Sequence, residues 1–240
     1  MPESTTTKMP PSPPLTLIVA ATPKNGIGKN GALPWPMLKK EMAYFARVTK
    51  RLPNSPDQTK GGDGDDGTTS KSTTPPRPRR NAVIMGRKTW ASIPPRFRPL
   101  KDRTNIVISS QPRSALPGLN DTSEESDDVI VSSSILDALR DLERGVEAGR
   151  VPALGRAFVI GGARVYEDAL GLECARSVLL TRLGREFECD TFFPELEGGE
   201  RGWVRRSKGE LEEFVGEEVV EGGLVEEGVG FEFQLWEREG

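Results

Sequence analysis

The sequence predicts an α/β fold: a central, mostly parallel sheet flanked by helices, with an antiparallel strand at the C-terminus. Three observations predict it. Short apolar runs of strand length alternate with helical segments along the chain. Two of these runs end in glycine and pass straight into a helix. Near the C-terminus, residues 231–236 alternate cleanly between apolar and polar, as a half-buried antiparallel strand does.

The elements follow in order. Residues 15–21 read Leu-Thr-Leu-Ile-Val-Ala-Ala, a buried strand. A Gly/Asn-rich loop at 24–31 leads to a helix, with Pro36 placed in its first turn, where a missing N–H costs nothing. Residues 81–85 form a strand, Gly86 ends it, and a short helix runs over 87–92. Strands are predicted at 104–109 and 129–132, then Ser133 or Ser134 caps a helix over 135–147. A strand at 157–160 runs through Gly161-Gly162 into a helix at 163–170. A strand at 178–183 follows, and the last strand, 231–236, takes residues 203–208 as its partner.

Polar segments interrupt this pattern. Residues 53–80 hold no Ala, Val, Leu, Ile, Met or aromatic residue, so they cannot bury apolar surface to offset their ordering entropy. They are expected to be a disordered insert, ending in a solvated cationic cluster. Residues 120–128 and 209–230 are expected to be acidic surface inserts, and 1–14 a disordered tail. One domain then spans 15–240. Apolar content is 35% and mean hydropathy −0.47, which fits a normal core diluted by such inserts.

Bulk properties exclude several functions. The net charge of −3 and pI near 5.4 give no electrostatic footprint for nucleic acid. The seven-residue run at 15–21 is far short of a membrane span, and the Thr/Pro-rich start has no apolar signal core. Cys174 and Cys189 form no C-x-x-C pair, so a reducing compartment and two inert thiols are expected. A soluble, cytoplasmic protein is expected. There is no histidine, which removes Ser-His-Asp and Cys-His chemistry, the usual zinc sites and histidine acid–base catalysis. No metal site is expected.

The most informative residue is Glu41. It lies in a stripe with Leu38, Met42 and Phe45, the i, i+3, i+4, i+7 pattern of one helix face. A buried carboxylate is costly unless something binds to it. Either a structural partner or a ligand does so, and the residues alone leave both open. Gly26-Ile27-Gly28-Lys29-Asn30-Gly31 matches G-x-G-x-x-G, yet Pro34 and Pro36 follow where a dinucleotide fingerprint needs a helix at once. A mobile glycine loop over an active site is the better reading. Met85-Gly86-Arg87-Lys88-Thr89-Trp90 is a better phosphate site, because a helix start with cations favours an anion. Ile160-Gly161-Gly162-Ala163-Arg164 repeats the design. With Ser109-Ser110 at a third strand end, these point to a long phosphorylated ligand across the strand ends.

Taken together, these segments resemble the dihydrofolate reductase family. The resemblance rests on Ile18-Val19-Ala20, Gly26 to Gly31, Leu33-Pro34-Trp35-Pro36, Glu41 with Tyr44-Phe45, and Val83 through Trp90. It continues through Ser92-Ile93-Pro94, Arg98-Pro99-Leu100, Ile160-Gly161-Gly162, Val165-Tyr166, Thr181-Arg182 and Asp190 to Pro194. The motifs occur in family order over roughly residues 15–194, plus the terminal strand. Glu rather than Asp at position 41 resembles eukaryotic forms, and the hydrophilic inserts suggest a fungal one.

The resemblance implies a dihydrofolate-reductase-like fold, NADPH as cofactor, and reduction of dihydrofolate to tetrahydrofolate for one-carbon metabolism. It implies a monomer that binds dihydrofolate and antifolate inhibitors. Glu41 would bind the 2-amino group and N3 of the pteridine and favour protonation at N5 through water. Thr181 would support that network, and Trp35 would hold an ordered water. Ile18, Val19, Met42, Phe45, Ile93, Leu100, Ile160 and Tyr166 would form the substrate site. Arg103 would take the α-carboxylate of the glutamyl tail, where a planar fork suits a carboxylate. Nicotinamide would lie near Ala20 and Ile27. Gly86, Arg87, Lys88, Thr89, Ser109 and Ser110 would take the phosphates and the adenosine end, with Gly161, Gly162, Ala163, Arg164 and Val165 beside them. Gly161-Gly162 would be a cis peptide. Two rivals are a flavin-pathway pyrimidine reductase of the same fold and a non-catalytic relative. Trp35, Glu41 and Arg103 together argue against the first, and Glu41, Trp35 and the glycine loop against the second.

Overall fold

A computed structural model describes residues 12–53, 78–119, 129–196 and 202–239. In chain order the strands are β1 (Leu15–Ala21), β2 (Gly26–Gly28), β3 (Arg79–Gly86), β4 (Arg103–Ile108), β5 (Val129–Ser132), β6 (Ala153–Val159), β7 (Ala175–Leu183), β8 (Thr191–Phe192), β9 (Trp203–Arg205), β10 (Leu224–Glu226) and β11 (Val229–Arg238). The helices are α1 (Lys39–Lys50), α2 (Arg87–Ser92), α3 (Ile135–Glu147), α4 (Ala163–Leu170) and α5 (Lys208–Val215).

The main sheet runs β10-β11-β7-β1-β6-β3-β4-β5, with β9 also pairing with β11. From β7 to β5 every pairing is parallel. β11 lies antiparallel to β7, and β9 and β10 lie antiparallel to β11. A parallel sheet is covered on both faces, so its strands carry unbroken apolar runs, as at Leu17–Val19, Ala82–Met85 and Ile106–Ile108. Successive side chains alternate between the faces. Leu17 and Val19 face a core built with Leu139 and Leu142 of α3 and Val165 and Leu170 of α4. Ile18, Val83, Met85 and Leu179 face the other core, with Tyr44 and Val48 of α1, Trp90 of α2, and Leu211 and Val215 of α5. Truncating a fully buried leucine such as Leu179 costs roughly 2–5 kcal/mol in such a core.

Several expectations need correction. Helix α1 begins at Lys39, with Leu38 as an extended N-cap, so Pro36 precedes the helix. Pro34 and Pro36 disfavour helical backbone at the residues before them, so the helix starts late. The buried face of α1 is Glu41, Tyr44, Val48 and Thr49, and Met42 is 46% exposed. Strand β3 starts at Arg79, within the expected insert, because Arg79 and Arg80 pair with Ala153 and Leu154 of β6. The glycine loop contains β2, which pairs with β8.

Residues 209–230 are not merely a surface insert. They contain most of α5, all of β10 and the start of β11. Ser207 and Glu210 form a reciprocal capping box at the start of α5, whose Leu211 and Val215 are buried. That S-x-x-E signal is legible in the sequence, but the density of glutamate masks it. The expectations for the tail at 1–11, most of the insert at 54–77 and the loop at 120–128 lie outside the described residues.

Candidate active site

The C-terminal ends of parallel strands are where open α/β sheets bind ligands. Here β1, β3, β4 and β6 end at Ala21, Gly86, Ile108 and Val159. Glu41 stands on the first turn of α1 and is 8% exposed. Its hydrogen-bond partner among the described residues is Thr181 on β7, whose Oγ1 donates to Oε1 at 3.4 Å. Burial pushes the carboxyl up to about 7, and the Thr181 bond opposes that only weakly.

An apolar wall packs around Tyr44, about one turn along α1 from this acid. Ile18, Phe45, Ile93, Leu100 and Ile160 belong to the same cluster as Tyr44. Trp35 is buried with Leu38 and meets Phe187 edge-on, centroids 6.0 Å apart. Val19 does not join the wall, because the strand alternation that turns Ile18 toward α1 turns Val19 into the α3–α4 core. Tyr166 is buried too, and its hydroxyl donates to the Ile18 carbonyl at 2.7 Å. That bond ties α4 to β1, and the nearby Glu41 charge helps to hold the phenol protonated.

Arg103 is 5% exposed. Its Nη1 donates to Thr49 Oγ1 at 2.8 Å and its Nε to the Lys101 carbonyl at 3.0 Å. No ion pair ties it among the described residues, and burial disfavours its charge. A buried guanidinium without a carboxylate is suited to receiving one from a ligand.

The glycine junctions converge. Gly161-Gly162 is a cis peptide, and the Gly86 amide donates to the Gly161 carbonyl at 2.7 Å. Gly161 has φ of 102°, and a Cβ there would meet the Tyr166 ring at 2.9 Å. A Cβ on Gly162 would face Thr89 Oγ1 at 3.5 Å. The starts of α2 and α4 therefore abut. Neither has a side-chain cap or an acid in its first turn, whereas α3 and α5 have Ser caps followed by Asp137 and Glu210. Arg87, Lys88 and Arg164 are exposed beside these two uncapped starts, Val165 is buried beneath Gly86, and Ala163 is half-buried. Ser109 hydrogen-bonds Gln111 locally, and Ser110 is exposed. Ala20 and Ile27 pack at the rims of different clusters.

Sequence reasoning gave no role to several supports. Arg182 Nη1 donates to the Thr22 carbonyl at 2.6 Å and to Asn25 Oδ1 at 2.8 Å. The Asn30 amide donates to Asp190 Oδ2 at 2.7 Å. Together they brace the glycine loop from β7 and from the residue just before β8. Phe233 stacks on Tyr44 at 3.7 Å and lies opposite Thr181 in register. No local signal in the sequence announces these long-range contacts.

Fold and site define a class of protein: an α/β protein with one under-bonded buried acid near the strand ends, beside an uncapped glycine cradle. Similarity makes it particular. A family model described as dihydrofolate reductase matches residues 78–214. The chain is 35% identical over 229 residues to the dihydrofolate reductase of Pneumocystis carinii, covering 94% of this chain and 97% of that one. It is 36% identical over 256 residues to that of Cryptococcus neoformans, covering 96% and 97%. The mouse enzyme is 35% identical over 225 residues, covering 94% and 97%. The solved Schistosoma mansoni dihydrofolate reductase superposes with a TM-score of 0.65 at 28% identity, covering 95% of this chain and 100% of that one. The chain belongs to the dihydrofolate reductase family, the enzymes that reduce dihydrofolate to tetrahydrofolate.

Proposed function

We propose that this chain reduces 7,8-dihydrofolate to 5,6,7,8-tetrahydrofolate with NADPH, as a monomer in the cytoplasm. The observation that carries this reading is Glu41, a buried acid with one weak hydroxyl partner. Its protein surroundings leave the carboxylate short of hydrogen bonds, and a pteridine 2-amino group and N3 would complete them.

The cofactor fits the residues present. The Gly86–Gly161–Gly162 cradle has no room for a Cβ at Gly161, and free helix-start amides with flanking cations suit phosphates. Gly86, Thr89, Gly162 and Ala163 would hold the diphosphate, and Arg87 with Ser109 and Ser110 the 2′-phosphate. Bound there, NADPH supplies the hydride that C6 of the substrate receives.

The chain's own residues do the rest. Burial pushes the Glu41 carboxyl up to about 7, into the range where a carboxyl can exchange a proton near neutral pH. When the ring is bound, the same oxygen atoms orient it and favour the proton reaching N5 through water. Thr181 fixes the orientation of the carboxylate. Trp35, Ile18 and Phe45 exclude bulk water and so strengthen that electrostatic effect. Arg103 anchors the glutamyl tail. Antifolates with a basic ring would pair with Glu41 in the same place. The test is a spectrophotometric assay with dihydrofolate and NADPH. Absence of turnover, or equal turnover with a pyrimidine of the flavin pathway, would overturn this assignment.

A further inference from the structure

Helix α1 has no side-chain cap of its own. Its N-cap is Leu38, whose side chain can accept nothing, yet the first N–H groups of a helix need acceptors. One acceptor comes from far along the chain. The Lys40 amide donates to Glu226 Oε2 at 2.8 Å, across 186 residues. Glu226 ends β10, and Glu227 and Gly228, both at positive φ, turn the chain back onto β11. A carboxylate at this position also matches the positive end of the helix.

The same C-terminal segment grips α1 twice more. Glu217 accepts from Arg47 Nε at 2.9 Å and Nη2 at 2.8 Å, and from Arg51 Nη2 at 3.0 Å. Arg51 Nη1 donates to the Val215 carbonyl at 2.6 Å. Between these ends, Tyr44 stacks on Phe233 with rings 17° apart. The C-terminal segment thus holds the helix that carries Glu41 at its start, middle and end, the first and last contacts coming from the acid-rich stretch and the middle one from β11.

We infer that Glu226, and more weakly Glu217, are positioning residues for the reaction, setting where α1 presents Glu41 to the pteridine. The inference rests on the reading of Glu41 as the ligand-binding acid. Glu41 directly follows Lys40, inside the one turn that the Glu226 bond secures. An unsatisfied first turn frays, and misplacing a reacting group by about 1 Å can cost up to 10²-fold. Glu217 acts at the far end of the helix, so its removal moves Glu41 less.

The experiment compares Glu226→Ala, Glu226→Gln and Glu217→Gln with the parent chain. Glu226→Ala is expected to lower kcat/KM for dihydrofolate roughly tenfold, with NADPH affinity unchanged. Glu226→Gln keeps an acceptor oxygen and should recover most of that loss, and Glu217→Gln should lose less than Glu226→Ala. Hydrogen exchange at the Lys40 and Glu41 amides should quicken in Glu226→Ala and stay near parental in Glu226→Gln. A lower unfolding temperature with unchanged kcat/KM would overturn the inference, as would an equal loss of NADPH affinity. If the parent chain itself fails to turn over dihydrofolate, the functional reading falls. The exchange measurement then still decides the cap, since unchanged exchange in Glu226→Ala overturns it.

Discussion

Thr181 and Glu41 are joined across 140 residues by a hydrogen bond of 3.4 Å, at the long limit for such a contact. Both are nearly fully buried. One weak neutral donor cannot offset the desolvation of a carboxylate. The protein tolerates the deficit, and in the function proposed above a bound pteridine removes it.

That deficit has a pH signature. In the fold Glu41 titrates near 7 rather than at its ordinary 4.5. Between those values the folded state holds more protons than the unfolded state, so the stability of the ligand-free protein falls as pH rises through that window. The full cost, roughly 3 kcal/mol, is present above pH 7 and absent below 4.5. Glu41→Gln should therefore raise the unfolding temperature by several degrees at pH 8 and change it little at pH 4.5. The same variant should lose most turnover at neutral pH and regain part of it as pH falls, because solvent can then protonate the substrate. Thermal unfolding and steady-state rates across pH check both statements, and near-parental turnover at neutral pH would contradict the proton role.

Arg87 opens α2 at the glycine cradle and is exposed. A charged hydrogen bond is worth roughly 1.5–3 kcal/mol. Arg87→Ala should weaken NADPH binding by about that amount and NADH binding much less. Fluorescence titration with both nucleotides measures it. Equal losses would mean that Arg87 does not read the 2′-phosphate.

Two glycines separate backbone strain from packing. Gly149 and Gly161 both have positive φ, but a Cβ on Gly149 meets nothing while one on Gly161 meets the Tyr166 ring. Gly149→Ala should cost about 1–2 kcal/mol, the left-handed penalty alone. Gly161→Ala should cost a further 1–3 kcal/mol or so for overpacking and lose activity, since Tyr166 supports the Ile18 carbonyl. Denaturant unfolding of the two variants gives the difference, and equal costs would show that the ring yields freely.

Where local chemistry decides structure, the sequence was legible. Ser134 caps α3 by accepting from the Asp137 amide, and α2, α3 and α4 span the residues their patterns predicted. The resemblance, rather than periodicity, anticipated the cis Gly161-Gly162 bond. Where tertiary contacts decide, the sequence was silent. The Glu226 cap on α1 and the Arg182 brace on the glycine loop join residues more than 150 positions apart. The cis Arg98–Pro99 bond has no distinguishing local signature, since most X–Pro bonds are trans. Met42 fits a helical stripe, but a cleft needs an opening, and Met42 lies at an exposed position of that stripe.

Arg103 offers the sharpest test of substrate identity. Its guanidinium is buried, tied to Thr49 and the Lys101 carbonyl, and lacks a carboxylate among the described residues. Burial alone disfavours the charge, so the arrangement makes sense if a ligand brings an anion. Lysine keeps the charge but not the planar fork that meets two carboxylate oxygens at once. Arg103→Lys should therefore raise KM for dihydrofolate by about 10- to 100-fold, the equivalent of one charged hydrogen bond. The tail is remote from the reacting atoms, so uniform binding is lost and kcat should hold. A pteridine without the glutamyl tail should bind parent and variant alike. If that truncated ligand suffers the same loss, Arg103 supports the site as a structural residue and the carboxylate has another receptor.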